Sequence, residues 1–328
     1  MKKLLITLLV AAVLPAMHTE RISAQTVRTA ALADKTYTVK GIRFTMKPIA
    51  AVQGAVLGDN SMEDNQEHSV NLSAYHIGET EVTQELWQAV MGASNKPSYF
   101  DGTSGKEADS GEKQEKRPVE MINWYQAIAF CNKLSLKLGL EPCYTVTVKG
   151  KPIDFASLPF DKIPSEDEYM SEKETAVKAW DAVTVDISKN GFRLPSEAEW
   201  EWAAKGGVES RWAGSDDEEE VDRYMWHDGN SESRTHEVKK LKPNGYGLYD
   251  MSGNVWEWCW DRFKDFLPDS LVEAGIVDID DIPDSCRAFR GGGIDIDIYN
   301  AALPIRLFYT PNFHAGSLGL RLACSVGR

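Results

Sequence analysis

The chain has 328 residues, of which 42% are hydrophobic and 26% are charged, an ordinary composition for a globular protein. Its formal net charge of −14 argues against a nucleic-acid partner, because a phosphate backbone attracts a basic face. The length allows one large domain or two small ones, and no internal repeat or low-complexity linker divides it. We therefore expect one domain over most of the chain.

The first 24 residues have the pattern of a secretory signal peptide. Two lysines precede the apolar run LLITLLVAAVL, which is too short to span a bilayer comfortably and breaks at Pro15. The segment Ile22-Ser23-Ala24 fits a small-residue cleavage site, and no cysteine nearby offers a lipid anchor. No later run approaches membrane-spanning length. The sequence predicts an exported protein, periplasmic or extracellular, that has no membrane span and is soluble after signal peptide removal.

A flexible segment over residues 25–40 and a folded domain over 41–328 are predicted next. The stretches GIRFTMKPI (41–49) and SVNLSAYHIGETEVT (69–83) alternate as strands do. Three helices are predicted from their capping side chains: QELWQAVM after Thr83, WYQAIAFCNKLSLKL after Asn123, and EAEWEWAAK after Ser196. The second and third also carry the glutamine or glutamate of a capping box.

The stretch between the second and third helices is less regular. Its charged segment SEDEYMSEKETAVKAW predicts a surface helix within an insertion over about 150–182. After residue 205, glycine, asparagine, aspartate and tryptophan dominate. Long irregular loops of this kind need aromatic packing, hydrogen-bonding side chains or a metal ion to fix them.

Six motifs now carry a family resemblance. In chain order they are GETEVTQELWQAVMG, RPVEMINWYQAIAFCNKL, NGFRLPSEAEWEWAAKGG, PNGYGLYDMSGNVWEWCWD, FRGGG and GLRLAC. Together they resemble the formylglycine-generating enzyme (sulfatase-modifying factor) domain family, from about residue 41 to the C-terminus. The resemblance implies an α+β fold, an irregular and loop-rich variant of the C-type lectin fold. Members either oxidise a substrate cysteine to formylglycine or serve other roles, such as ligand display, so the fold alone leaves function open.

The resemblance also implies where the enzyme's two copper-binding cysteines would lie. They follow an RGGS motif in the family, and soft thiolates suit Cu(I). In this register RGGGIDIDIYNAALPIR (290–306) places Ile296 and Ala301 at those positions, and Gly293 replaces the serine. Neither side chain binds copper or forms a mixed disulfide. We therefore expect no copper site and no catalytic residue.

The presence of Ile296 and Ala301 in place of the two cysteines leaves two candidate functions. The first is an exported, non-catalytic binding or assembly protein. Its IDIDIYN loop (294–300) would lie where enzymes have their groove, which predicts a protein or glycan ligand near Asp295–Asn300. The alternative is an enzyme of the formylglycine-generating type, or another oxidoreductase that uses the same groove.

Five cysteines occur in the chain, namely Cys131, Cys143, Cys259, Cys286 and Cys324. An odd number in an oxidising compartment leaves at least one thiol unpaired or bonded to another molecule. The resemblance suggests Cys131 with Cys324, and Cys259 with Cys286 is a second candidate pair if their strands are neighbours. Buried free cysteines are an equal alternative for each pair.

The segment GLYDMSGNVWEW (247–258) predicts a metal loop. Asp250, Asn254 and Glu257 supply hard oxygen donors, and Gly253 permits a tight turn, which suits calcium. The resemblance implies that a structural calcium ion is held by the side chains of Asp250 and Glu257 and the backbone carbonyls of Gly253 and Val255. The alternative is that the two acids only satisfy backbone N–H groups at turns.

Other residues of this region carry weaker signals. Trp256 and Trp258 fall on one face of a strand, which favours core packing over ligand stacking. A second calcium loop of the family is not recognisable in HDGNSESRTHEV (227–238). None of the six histidines shows a ligand spacing such as HExxH, so an iron site like that of the family's C–S bond-forming members is not expected.

Overall fold

The computed structural model describes residues 32–165, 174–266 and 283–326. The predicted signal peptide (1–24) lies outside these residues, as does most of the acidic run DIDDIPD (278–284). The helices that it describes are α1 (Gln84–Met91), α2 (Trp124–Lys137), α3 (Glu174–Asp181) and α4 (Glu197–Lys205). The strands are β1 (Lys35–Val39), β2 (Ile42–Ile49), β3 (Val52–Leu57), β4 (His68–Leu72), β5 (Tyr75–Gly78), β6 (Tyr144–Thr145), β7 (Thr147–Val148), β8 (Lys151–Pro152), β9 (Thr184–Val185), β10 (Phe192–Arg193), β11 (Trp256–Arg262), β12 (Arg287–Arg290), β13 (Arg306–Tyr309), β14 (Leu318–Gly319) and β15 (Ala323–Ser325).

Two larger sheets organise the domain. The first is antiparallel and has the order β1-β2-β5-β15-β10, so the beginning and the end of the described chain meet in one sheet. The second has the order β13-β12-β11-β14, in which β14 runs parallel to β11. Three further two-stranded ladders pair β3 with β4, β6 with β9 and β7 with β8. The fold is therefore mixed α/β, rich in sheet and with few helices.

The capping signals located three helices correctly. Thr83 accepts a hydrogen bond from the Leu86 amide at the start of α1. Both Asn123 and Ser196 form complete capping boxes, at α2 and α4. Gly206 ends α4 in the left-handed conformation with φ of 64°, which glycine adopts without steric cost.

One boundary prediction was wrong, and one helix that was predicted on the surface is partly buried. The segment predicted to be flexible (25–40) contains β1, because Tyr37 and its neighbours pair with β2 in continuous register. The segment predicted as a surface helix contains α3, whose Val177 and Trp180 are buried. The Trp180 ring packs edge-on against Tyr125 and Phe155, so the insertion contributes to the core rather than lying on it.

Aromatic residues fill the core between the helices and the second sheet. Trp256 and Trp258 are buried, and both meet the ring of Phe289 edge-on, which confirms that they pack. The Trp258 indole N–H donates to the Ile122 carbonyl oxygen at 3.1 Å, so its polar atom is satisfied. Within the described residues, no helix is both long enough and apolar enough to cross a membrane.

Candidate functional site

The loop between β12 and β13 contains Ile296 and Ala301, the positions at which the family resemblance places the enzymes' thiols. Ile296 and Ala301 meet over Gly292: a Cβ atom added to that glycine would lie 2.6 Å from Ala301 Cβ and 3.0 Å from Ile296 Cδ1. The structure therefore places both side chains beside Gly292. Ala301 is buried in a cluster with Trp212 and Met225, against which Ile296 packs. Aliphatic contacts occupy the place of a thiol pair.

Hydrogen bonds fix the main chain of this loop. The carbonyl oxygens of Ile294, Ile296 and Ile298 accept from Ser231 Oγ at 2.8 Å, the Asp228 amide at 3.0 Å and Trp212 Nε1 at 2.6 Å, respectively. At its far end, the Leu303 amide donates to the Arg211 carbonyl oxygen at 2.7 Å. None of these bonds uses a side chain of the loop itself. The backbone course is thus set by its surroundings.

The polar side chains of the loop point outward. Ile294 is buried, Ile296 and Ile298 are half-buried, and Asp295, Asp297, Tyr299 and Asn300 are exposed. Asp297 caps a short 3-10 helix (Ile298–Ala301) by accepting from the Tyr299 and Asn300 amides. Tyr299 is 53% exposed, and its hydroxyl group donates to Glu218 at 3.1 Å. We call these four exposed side chains the display face.

A cleft of about 410 Å³ opens beside Tyr299. The loop at 58–62, the end of α4 and the segment 209–216 form its other walls. Two of its cationic side chains have acidic partners, since Lys205 lies 2.7 Å from Glu209 and Arg211 lies 3.5 Å from Glu218. The volume lies within the range of small-ligand sites, and the lining is polar and mixed in charge. Sequence reasoning missed this cleft because its walls are far apart in the chain.

The segment 247–258 supports the loop that carries the display face through main-chain hydrogen bonds. The Gly253 amide donates to the Gly291 carbonyl oxygen at 2.8 Å, and the Asn254 carbonyl oxygen accepts from the Ile294 amide at 3.0 Å. Gly253 has φ of +82°, and a Cβ atom there would lie 2.1 Å from the Trp226 carbonyl oxygen. Only glycine is tolerated under such constraints. The segment is therefore a support for the neighbouring loop.

Of the four predicted calcium ligands, Asp250 and Glu257 would contribute side chains, and these two differ in how well they fit a cation. Asp250 Oδ2 accepts from the Lys239 amide at 3.0 Å, whereas the buried Oδ1 has no partner. Burial raises the pKa of Asp250 to about 6. Burial, followed by the Asp250 and Glu257 carboxylates, also raises the pKa of Glu81 well above its usual value. An unpaired carboxylate oxygen beside excess negative charge suits a cation.

Glu257 already has a cationic partner. Its carboxylate accepts from Arg321 Nε at 2.9 Å, and Arg321 Nη2 lies 2.7 Å from Oε1. Trp200 Nε1 donates to Oε2 at 2.6 Å. Asp250 thus fits the calcium prediction, whereas Glu257 would have to share its oxygen atoms with a guanidinium group. The calcium site stays a prediction.

The five cysteines are free thiols and all are buried. Their exposure is between 0% and 3%. Burial raises the pKa of each thiol, to about 11 for Cys286 and Cys324 and well above the usual value for Cys131 and Cys259. Thiols that are buried and protonated neither bind Cu(I) as thiolates nor reach a substrate.

The chain belongs to the family of sulfatase-modifying factor enzyme 1-like domains, whose model matches residues 23–326. It is 36% identical over 218 residues to chaperone protein LppX of Paenibacillus barcinonensis, which covers 61% of this chain and 67% of that protein. The formylglycine-generating enzyme of Streptomyces coelicolor is 35% identical over 161 residues, 44% of this chain and 50% of the enzyme. The inactive C-alpha-formylglycine-generating enzyme 2 of Mus musculus is 28% identical over 160 residues, 46% of this chain and 48% of that protein. The chain spans about half the length of these last two relatives.

Solved structures show the same fold. Treponema denticola variable protein 1 is 51% identical and superposes with a TM-score of 0.78, covering 90% of this chain and 100% of that one. CarF, at 24% identity, has a TM-score of 0.59 and covers 86% of this chain and 98% of its own. The family resemblance found in the sequence motifs is confirmed.

Proposed function

We propose that this chain is an exported, non-catalytic binding protein whose ligand lies on the display face and the adjoining cleft. The observation that carries the proposal is the loop at 291–303. Its main chain is fixed by neighbouring groups and by the cap of Asp297, while the side chains of Asp295, Asp297, Tyr299 and Asn300 are exposed. A rigid frame with exposed tyrosine, aspartate and asparagine side chains suits recognition, because little conformational freedom is lost on binding.

The comparisons support a role other than catalysis. Relatives include a protein named as inactive and another named as a chaperone, in addition to enzymes. In this chain the two thiol positions are Ile296 and Ala301, and the cysteines present are buried. Export rests on the sequence pattern of residues 1–24. We further propose that the fold is an irregular variant of the C-type lectin fold.

The ligand is proposed to be a protein segment or a glycan. Aromatic and paired polar groups around a cleft of about 410 Å³ offer stacking and hydrogen bonds to either class. The net charge of −14 argues against nucleic acid on electrostatic grounds. A structural calcium ion beneath the face, with Asp250 as a ligand, is part of the proposal.

Binding is tested by presenting the purified protein to a glycan array and to a phage-displayed peptide library. Ligands selected by the wild-type protein should be lost in the Tyr299→Ser variant. Tyr309→Ser is the matched control, because Tyr309 is 50% exposed and lies at the other end of the β12–β13 ladder from the loop. Failure to select any ligand, or ligands that bind Tyr299→Ser equally well, would contradict the proposal.

The enzyme alternative has its own assay. The protein is incubated with a CxPxR peptide and Cu(I), and the peptide mass is measured for conversion of cysteine to formylglycine. We expect the mass to stay unchanged, because no exposed thiol is available to engage the peptide. A peptide with serine in place of cysteine is the blank. Turnover above that blank would establish the enzyme and overturn the non-catalytic assignment.

A further inference from the structure

We propose that Asp109, Glu112 and His236 form a site for a divalent transition-metal ion of the zinc class. One ligand atom from each of the three side chains lies within 4.8 Å of the other two. The two acids precede α2 in the chain, whereas the histidine lies just before the segment 247–258. Glu112 and His236 are 124 positions apart, so a bound ion would fasten together two distant loops.

The hydrogen bonds of His236 show which nitrogen faces the acids. Its Nε2 lies 3.0 Å from the Ser231 carbonyl oxygen. Because a carbonyl oxygen only accepts, Nε2 carries the hydrogen atom, and the Nδ1 of a neutral ring presents its lone pair. That Nδ1 lies 3.0 Å from Glu112 Oε1. A lone pair and a carboxylate repel each other, so the arrangement requires a cation between them.

Two cations satisfy this requirement, a proton on Nδ1 or a metal ion. A proton would produce a His236–Glu112 ion pair and neutralise one carboxylate. Asp109 brings a second carboxylate oxygen to within 4.8 Å of the ligand atoms of Glu112 and His236, and a divalent ion neutralises both carboxylates. The second carboxylate is the reason to favour the metal ion over the proton.

The neighbours of the ligands hold them in position. The His236 ring is buried and stacks on Trp226 with centroids 3.7 Å apart and an interplanar angle of 15°. Glu112 Oε2 accepts from the Glu237 amide at 2.9 Å. A backbone carbonyl on the far nitrogen of histidine and a hydrogen-bonded carboxylate are the outer contacts that orient ligands at metal sites. Asp109 is exposed, so an ion can enter from solvent.

The donor set selects the metal. Zinc accepts imidazole nitrogen together with carboxylate oxygen, whereas calcium and magnesium prefer sites made of oxygen alone. Three protein ligands leave a fourth position for water. This site shares no residue with the calcium ligands predicted in 250–257, and it does not depend on the proposed binding function.

The proposal is tested by titrating the chelator-treated full chain with Zn²⁺ in a calorimeter. We expect one zinc ion per chain for the wild type. Loss of a residue that only orients a ligand weakens metal binding roughly 10- to 100-fold. Asp109→Asn removes a ligand itself, so it should weaken zinc binding by at least that factor. Asp222→Asn is the control, because Asp222 is a 66% exposed aspartate whose Oδ1 lies 2.7 Å from another histidine, His227. It should bind zinc like the wild type.

Asp109 is the residue to change because it is exposed, so we expect its replacement by asparagine to leave the fold intact. Equal melting temperatures of the Asp109→Asn and Asp222→Asn variants in chelator verify this. If the wild type takes up no zinc, or if both variants bind it equally, the group is only an ion pair and the proposal is overturned.

Discussion

Arg321 is fully buried and donates to the carboxylate of Glu257. Replacing Arg321 with methionine would leave that carboxylate charged in the interior, close to Asp250 and Glu81. We expect the free energy of unfolding to fall by about 3–5 kcal/mol, the cost of removing one partner of a buried pair. Urea denaturation followed by tryptophan fluorescence measures it.

The control is Arg223→Met. Arg223 pairs with Glu220 on the surface, where the two side chains are 51% and 43% exposed. Such pairs contribute about 0–1 kcal/mol. Equal losses in the Arg321→Met and Arg223→Met variants would show that the buried pair is not needed for stability.

Asp250 has a buried carboxylate oxygen with no partner, which makes it the residue that tests calcium. We expect chelation to lower the melting temperature and added Ca²⁺ to restore it, because an ion that binds only the folded state stabilises it. Asp250→Asn should abolish the response to calcium. Asparagine tolerates the positive φ of 56° at this position, so the variant folds. A wild type insensitive to calcium would remove the site.

At the scale of single elements, α4 begins with a complete capping box. Ser196 accepts from the Glu199 amide at 3.1 Å, and the Glu199 side chain accepts from the Ser196 amide at 2.9 Å. Ser196→Ala should lower the free energy of unfolding by about 0.5–2 kcal/mol, the usual effect of removing such a cap. Thermal or urea unfolding measures the change. Ser104→Ala, in an exposed loop, should change it by less than about 0.5 kcal/mol.

The capped helices were predictable because their signals are local. Thr83, Asn123 and Ser196 each act on an amide within three residues, so the sequence alone contains both partners. A helix was predicted in the segment of α3, but its burial and the existence of β1 were missed for the opposite reason. Lys35–Val39 is ordered by pairing with β2, and Trp180 is buried by rings from two other segments, Tyr125 and Phe155. Tertiary contacts of this kind leave no pattern in a short window.

The site was predictable only in part. Alignment with the RGGS motif of the family pointed to Ile296 and Ala301, and the structure places both side chains beside Gly292. The cleft and the Asp109–Glu112–His236 group were missed, since their members come from separate loops. The partnership of Glu257 with Arg321 was also missed. The two residues are 64 positions apart, and only the folded chain brings them into contact.

For the whole molecule, stability depends on pH through buried acids. Burial, and then the nearby Glu197 carboxylate, raise the pKa of Asp261 to about 7. The folded state therefore holds this proton more tightly than the unfolded state does. The stabilisation is complete below the ordinary pKa of 3.8 and is lost as the pH rises through about 7.

Asp261→Asn should remove this dependence. Asparagine stays neutral, and its side-chain oxygen accepts from the Glu197 amide as the carboxylate does. The variant should be more stable than the wild type by a smaller amount at pH 5 than at pH 8, because the stabilisation by the Asp261 proton is lost between pH 3.8 and about 7. Urea denaturation of both proteins at both pH values gives the difference between their free energies of unfolding. Other titrating groups, such as His76, whose pKa is lowered by burial, are present in both proteins and cancel in this difference. A difference in the free energy of unfolding that does not grow with pH would contradict the raised pKa of Asp261.

Strand β15 is an interior strand of the first sheet, between β5 and β10, although it comes from residues 323–325. A growing chain therefore lacks this interior strand until residues 323–325 have been synthesised. The edges of β5 and β10 stay open until then, and closure joins residues that are far apart in sequence. Pairings over such long sequence separations slow folding, so we expect completion of this sheet to be a slow step.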